Sequence, residues 1–356
     1  MNKVNFSAGP AILPQSVLRQ SSEAIINYAG TGLSLLEVSH RSKEFVATME
    51  KATQLVKELL QLTDDYAVLF LSGGASTQFF MAPMNLLNET EEAGYVNTGA
   101  WSRNAIKEAK GFGNINVLAS SEAENFNHIP KGYDIPDNLK YLHLTSNNTI
   151  FGTQYKDWPV TNVPLVCDMS SDIFSKPIDI SRFDLIYAGA QKNMGPAGVT
   201  LVVVRKSALG TVSRYIPTML NYETHIKNES MYNTPPVFAI YVAMLTMEWI
   251  QENGGLEGMA QRNEAKAGKL YDEIDRNPLF YGHSVPEDRS LMNVCFRLHD
   301  ETMEADFMRL CVQNGLDGLK GHRSVGGFRA SIYNAMEIEG VQKLVETMQQ
   351  FEREKA

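Results

Sequence analysis

The sequence predicts an α/β fold: a mostly parallel sheet between helices, followed by a smaller C-terminal α/β domain. Three observations carry this expectation. Short apolar runs alternate with helical patterns over about 200 residues, as in parallel strands joined by crossover helices. The runs 184–188 and 199–204 are β-branched or aromatic and bounded by glycine, so each reads as a buried strand. After the pair Gly254-Gly255 a strand–helix pattern starts again on a smaller scale.

Taken in order, residues 6–14 are turn-rich, and a helix follows over about 16–28 with Val17, Ile25 and Ile26 among its apolar positions. Gly30 and Gly32 end it, and a second helix covers about 42–60. The strand 66–71 runs straight into Ser72-Gly73-Gly74-Ala75-Ser76-Thr77 and a helix over 78–87. Residues 95–101 make a second strand-to-loop passage before a helix over 102–110. The short runs 141–144 and 165–167 end in 145–149 and in Asp168. Prolines and asparagines loosen the pattern from 213 to 236, and helices return over 237–252 and about 259–275. The remainder reads as strand 291–298, helix 302–314, strand 327–333 and helix 337–353. In that last helix Ile338, Val341, Leu344, Val345, Met348 and Phe351 share one face. The expected division is an N-terminal segment 1–15 joining the small domain, a large domain 16–255 and a small C-terminal domain 256–356.

Composition narrows the classes of function. The chain has 356 residues, 44% hydrophobic and 21% charged, which suits a soluble globular protein of about two domains. A net charge of −9 argues against a general nucleic-acid or anionic-membrane binder. The cysteines Cys167, Cys295 and Cys311 are widely spaced in apolar runs, which indicates neither a disulfide framework nor a zinc site. There is no signal-like apolar region at the start, nor any run approaching 18 apolar residues. A cytoplasmic protein without a metal is therefore expected.

The chemistry centres on the loop between the two buried strands, GAQKNMGPAG (189–198), which holds Lys192. Desolvation favours the neutral amine, the nucleophilic form that makes Schiff bases with carbonyl compounds such as pyridoxal phosphate (PLP). A surface-loop lysine that snorkels to water is the bland alternative. A Gly-Gly turn between strand and helix, as at Gly73–Thr77, leaves backbone N–H groups facing an anion. Taken alone, it is equally an ordinary turn and helix cap. Asp168 ends a buried run, where a protonated pyridine nitrogen would satisfy its carboxylate; a helix cap or salt bridge would do so too. Trp101 could stack on a cofactor ring or simply fill the interior. The cradle, the aromatic, the carboxylate and the lysine all follow predicted strands, where ligands gather in such sheets.

The segments FSAGPAILP (6–14), SHRSKEF (39–45), TGAWS (98–102), DMSS (168–171), MYNTPPVFAIY (231–241) and GHRSVGGFRASIYNAM (321–336), with the lysine loop, resemble one family. It is the phosphoserine aminotransferase family, class V aminotransferases of the PLP-dependent transferase fold type I. The resemblance covers nearly the whole chain. It implies that Lys192 carries the cofactor and shuttles the Cα proton. Asp168 would pair with the pyridine nitrogen, Trp101 would stack on the ring, and Thr149 and Gln191 would hold its hydroxyl side. Ala75 and Ser76 would bind the phosphate, with Asn233 and Thr234 completing that site from the partner subunit of a homodimer. Two departures stand out: many members have Glu where Asn148 stands, and Gly-Arg-Gly where Ala75-Ser76-Thr77 stands. The second removes a cation near the phosphate.

Two His-Arg pairs, His40-Arg41 and His322-Arg323, and Arg329 suit substrates carrying an α-carboxylate and a second anion. Guided by the resemblance, Arg329 takes the α-carboxylate. The other four take the phosphate of phosphoserine or the side-chain carboxylate of glutamate. The implied reaction converts O-phospho-L-serine and 2-oxoglutarate to 3-phosphohydroxypyruvate and L-glutamate. A side activity on 4-phosphohydroxythreonine stays open. Two alternatives remain: a cysteine desulfurase, which needs a reactive cysteine, and a non-catalytic phosphate-metabolite binding protein.

Overall fold

The computed structural model describes residues 3–355; Met1, Asn2 and Ala356, counted above in the terminal parts of the domain division, lie outside the described residues. The chain enters through β1 (Val4–Asn5), α1 (Gln15–Ile26) and α2 (Lys43–Leu60). α2 starts where the Ser42 side chain accepts from the Phe45 N–H and stops at Gln61 in the left-handed conformation. Its residues Phe45, Met49, Ala52, Val56 and Leu59 recur at helical spacing and are buried.

The large sheet then begins with β2 (Tyr66–Leu71), followed by α3 (Gly74–Leu86), β3 (Glu92–Asn97), α4 (Ala100–Ala109) and β4 (Asn114–Ser120). After β5 (Leu142–Thr145) comes a small hairpin, β6 (Asn147–Asn148) and β7 (Thr153–Gln154). Next are β8 (Leu165–Asp168), β9 (Phe183–Gly189) and β10 (Thr200–Arg205). The seven strands lie in the order β2-β10-β9-β8-β5-β3-β4. Only β10 runs against its neighbours, because a tight loop rather than a crossover helix joins it to β9. The sheet is thus mostly parallel, as the sequence predicts. Its strands other than β4 are buried on both faces: one core holds α1, α2 and α6 (Val237–Glu252), the other α3, α4 and the short α5 (Tyr222–Lys227).

Short elements absent from the sequence reading also form, among them α5 and a strand over Phe280–Gly282, and two differences bear on the large sheet and its site. β4 is a half-exposed edge strand whose apolar run is only Val117-Leu118-Ala119, flanked by asparagine and serine, so its sequence does not mark it as core. α3 starts at Gly74, four residues before the expected 78, with Gly73 at φ +102° as its N-cap. The glycine pair is itself the helix entrance.

The C-terminal part holds α7 (Gly255–Arg276), β11 (Phe280–Gly282), β12 (Asn293–Leu298), α8 (Glu304–Gln313), β13 (Leu316–Asp317), β14 (Phe328–Ser331) and α9 (Ile338–Lys355). β11, β12 and β14 form an antiparallel sheet over a core of its own. β1 pairs with β13, and Phe6 is fully buried in that core. Among the described residues no helix is long and apolar enough to cross a membrane, and no cluster of His, Cys, Asp or Glu could hold a metal ion.

Candidate active site

The carboxyl ends of β2, β3, β5, β8 and β9 share one edge of the sheet, and the residues just beyond them build the site. The loop joining β9 to β10 is pinned by its own backbone: Gly195 N–H donates to the Ala190 carbonyl at 2.8 Å, and Ala190 N–H to Val199 at 3.1 Å. Gly195 also presses on α6, where a Cβ would lie 3.1 Å from Ala243 Cα. This fixed loop turns Lys192 inward. Its Nζ donates to Thr149 Oγ1 at 2.8 Å and Ser171 Oγ at 3.0 Å, and lies 5.9 Å from the centroid of Trp101.

Burial pulls the Lys192 ammonium from 10.5 down to about 8; Asp168 opposes that, Arg329 reinforces it, and Asp172 again opposes it. At pH 7 about one molecule in ten then carries the free amine, against about one in several thousand for an ordinary lysine. The lysine is primed as a nucleophile.

Asp168 ends β8 and is buried. Burial raises its pKa while Lys192 lowers it, and Oδ1 accepts from the Ser170 N–H at 2.9 Å. Among the described residues no hydrogen bond reaches Oδ2, which is not buried away and stays open to a further donor. Behind it, Asp172 accepts from Ser146 Oγ and from Gln154 Nε2. Trp101 stands half-buried at the start of α4, and its Nε1 has no partner.

Arg329, on β14, donates from Nη1 to the Thr149 carbonyl at 3.3 Å, while its Nε is buried and unpaired. His322 is held by Ser324, and its pKa falls through burial and the nearby Arg329 and Arg323. The two arginines thus disfavour the charged form of His322. Gly73 can only be glycine: a Cβ would fall 2.2 Å from Thr77 Oγ1, and φ is +102°. Ala75 is half-buried and Ser76 exposed in the first turn of α3. Asn233 joins Gly73 and Thr77 around a cavity of about 260 Å³, and Thr234 is exposed. The Gln191 carbonyl accepts from Ala11 N–H at 2.9 Å, which ties the N-terminal segment to the lysine loop.

The structure thus joins Lys192, Thr149, Asp168, Trp101 and Arg329. His40 and Arg41 are not joined to them: among the described residues no hydrogen bond or ion pair links either to this group. Arg41 is exposed, and His40 Nε2 is unpaired. Asn148, where the resemblance leads one to expect Glu, is buried between Thr98 and Thr153 by hydrogen bonds of 3.2 and 3.0 Å. Sequence reasoning gave no role to Ser171, Asp172 or Asn193. Ser171 lies three residues beyond Asp168, which was the available signal.

These residues fit PLP. The open Oδ2 of Asp168 suits a ring N–H, the amine of Lys192 an aldehyde, the Trp101 face a flat ring, and the α3 entrance a phosphate. A sequence model described as aminotransferase class-V matches residues 3–344, and the chain belongs to that family. Within it, the chain falls among the phosphoserine aminotransferases. That of Flavobacterium psychrophilum is 58% identical over 353 residues, covering 99% of each chain. The solved phosphoserine aminotransferase of Bacillus circulans subsp. alkalophilus superposes with TM-score 0.97 at 48% identity, covering 100% of this chain and 99% of the other. A PLP-bound phosphoserine aminotransferase from Trichomonas vaginalis gives 0.93 at 38%, covering 98% and 100%. The fold is therefore the PLP-dependent transferase fold type I, as the resemblance implies.

Proposed function

We propose that this chain transfers the amino group of O-phospho-L-serine to 2-oxoglutarate, giving 3-phosphohydroxypyruvate and L-glutamate, with PLP held covalently on Lys192. The observation that carries this reading is the buried Lys192 amine, brought to about 8 and set between two hydroxyls near a buried carboxylate. PLP, when bound, supplies the electron sink that lets a substrate Cα–H ionise.

The chain's own groups do the rest. Asp168 would keep the ring nitrogen protonated, and its burial would strengthen that pairing. Trp101 fixes the plane of the ring. The α3 entrance would hold the phosphate with backbone N–H groups and the Ser76 hydroxyl. The resemblance assigns the completion of that cradle to Asn233 and Thr234 of the partner subunit in a homodimer, while this chain's own Asn233 also lines a cavity with Gly73 and Thr77. In the cofactor-free chain Thr149 and Ser171 hold the Lys192 Nζ in place. Lys192 then moves a proton as a general base, a role its value near 8 suits. Arg329 would fork onto the α-carboxylate, while His322 and Arg323 would meet the second anion.

The desulfurase alternative requires a reactive thiol. All three cysteines are buried, and burial pushes Cys295 and Cys311 up to about 12 and Cys167 well above its usual value. Amino transfer is tested by supplying O-phosphoserine and 2-oxoglutarate and following glutamate. Lys192→Ala should remove turnover even where PLP still binds; near-normal glutamate formation by that variant would refute the assignment.

A further inference from the structure

Lys266, in the middle of α7, is fully buried with no carboxylate on its ammonium. Its Nζ donates instead to three successive carbonyls, Ile332 at 3.0 Å, Tyr333 at 2.6 Å and Asn334 at 3.5 Å. A buried ammonium with only neutral acceptors is a poor stabiliser, since an apolar side chain of similar length avoids the desolvation cost. Its burial drives the pKa well below the ordinary lysine value, with Arg262 adding to the effect and Glu337 opposing it. Such a group is better explained by what it holds in place.

What it holds is the turn that follows β14, the strand bearing Arg329. From that turn the Asn334 N–H donates to Asn193 Oδ1 at 3.0 Å. Asn193 Nδ2 donates to the Ser171 carbonyl at 3.1 Å, and Ser171 Oγ accepts from Lys192. The Asn334 side chain is braced as well: Nδ2 donates to the Phe174 carbonyl at 2.9 Å, and Oδ1 accepts from Asn263 Nδ2 at 2.8 Å. The same turn meets the N-terminal segment, where Tyr333 Oη donates to the Ala8 carbonyl at 2.7 Å. Elements carrying the carboxylate-binding arginine and the reacting lysine are therefore joined through one short polar relay.

We propose that Lys266 and Asn193 are positioning residues, which fix the Lys192 amine relative to the Arg329 strand through the 332–334 turn. The proposal rests on the amino-transfer reading only for its kinetic arm.

The test uses Lys266→Met, Asn193→Ala and the double variant. In the cofactor-free protein, competitive acetylation with acetic anhydride gives the titration midpoint of Lys192. Either single change should raise that midpoint by about half a unit or more, because Ser171 loses its brace and water reaches the amine. In the loaded enzyme KM for O-phosphoserine should rise about threefold or more with a smaller change in kcat, and the double variant should not exceed the larger single effect. Should Lys266→Met fail to fold, Asn193→Ala alone decides, since it strands no buried charge. An unchanged midpoint in Asn193→Ala, or additive effects in the double variant, would overturn the relay. The midpoint is read without cofactor or substrate, so it stands apart from the proposed reaction.

Discussion

Replacing Lys192 by Met in the cofactor-free protein should stabilise the fold at neutral pH, and the gain should shrink as pH rises. Burial brings the ammonium from 10.5 to about 8, which corresponds to roughly 3 kcal/mol of unfavourable protonation at pH 7. Methionine removes that cost and keeps the length of the side chain. It forfeits the bonds to Thr149 and Ser171, but those hydroxyls lie 2.5 Å apart and still satisfy each other. After about 1 kcal/mol for each lost bond, the expected net gain is about 1–2 kcal/mol. The unfolded lysine stays protonated up to about 10.5, the folded one only up to about 8. Between those values the unfolded chain binds more protons, so wild-type stability rises with pH. The Met variant lacks this rise, and its advantage should narrow by about 2 kcal/mol between pH 7 and pH 9.5. Urea unfolding of both proteins, stripped of cofactor and at one fixed concentration, measures the difference at each pH. A Met variant less stable at pH 7, or a difference flat with pH, would refute the reasoning.

Other perturbations follow from the same geometry. Arg329→Leu should damage turnover of phosphoserine and glutamate alike, because both present an α-carboxylate; steady-state kinetics showing loss of only one would contradict the assignment. Asp168→Asn should lower the Lys192 midpoint further, since Asp168 is the strongest group opposing the effect of burial, and a rise seen by acetylation of the apo-protein would contradict this. Gly73→Ala places a Cβ 2.2 Å from Thr77 Oγ1 at φ +102° and should cost about 1–3 kcal/mol at the α3 entrance. A PLP titration followed by tryptophan fluorescence should show weaker binding, and unchanged affinity and Tm would speak against that cradle.

Much of this architecture was legible because buried parallel strands write themselves as apolar runs, and because ligands meet such sheets at strand ends. Lys192, Asp168, Thr149 and Trp101 could be grouped on that rule before any contact was known. β4 escaped notice because an edge strand needs no apolar face, and the antiparallel course of β10 depends on loop length rather than on strand composition. Gly73 and Gly74 read as a turn ahead of a helix starting at 78, although with both residues at positive φ they already begin the helix. Asn193 was missed for another reason. It acts by where its hydrogen bonds lead, and a partner 141 positions away, as Asn334 is, leaves no local mark. His40 and Arg41 illustrate the converse. The sequence marks them as anion-binding groups, yet within this chain no bond draws them to Lys192.

The central claim is that Lys192 carries PLP for amino transfer from phosphoserine. Purified protein loaded with PLP should be yellow, and O-phosphoserine alone should bleach that absorption. Added 2-oxoglutarate should then restore it, with glutamate formed in equal amount. Absorption that persists with O-phosphoserine but yields sulfide or alanine from cysteine would contradict the account, as would protein that takes up no PLP.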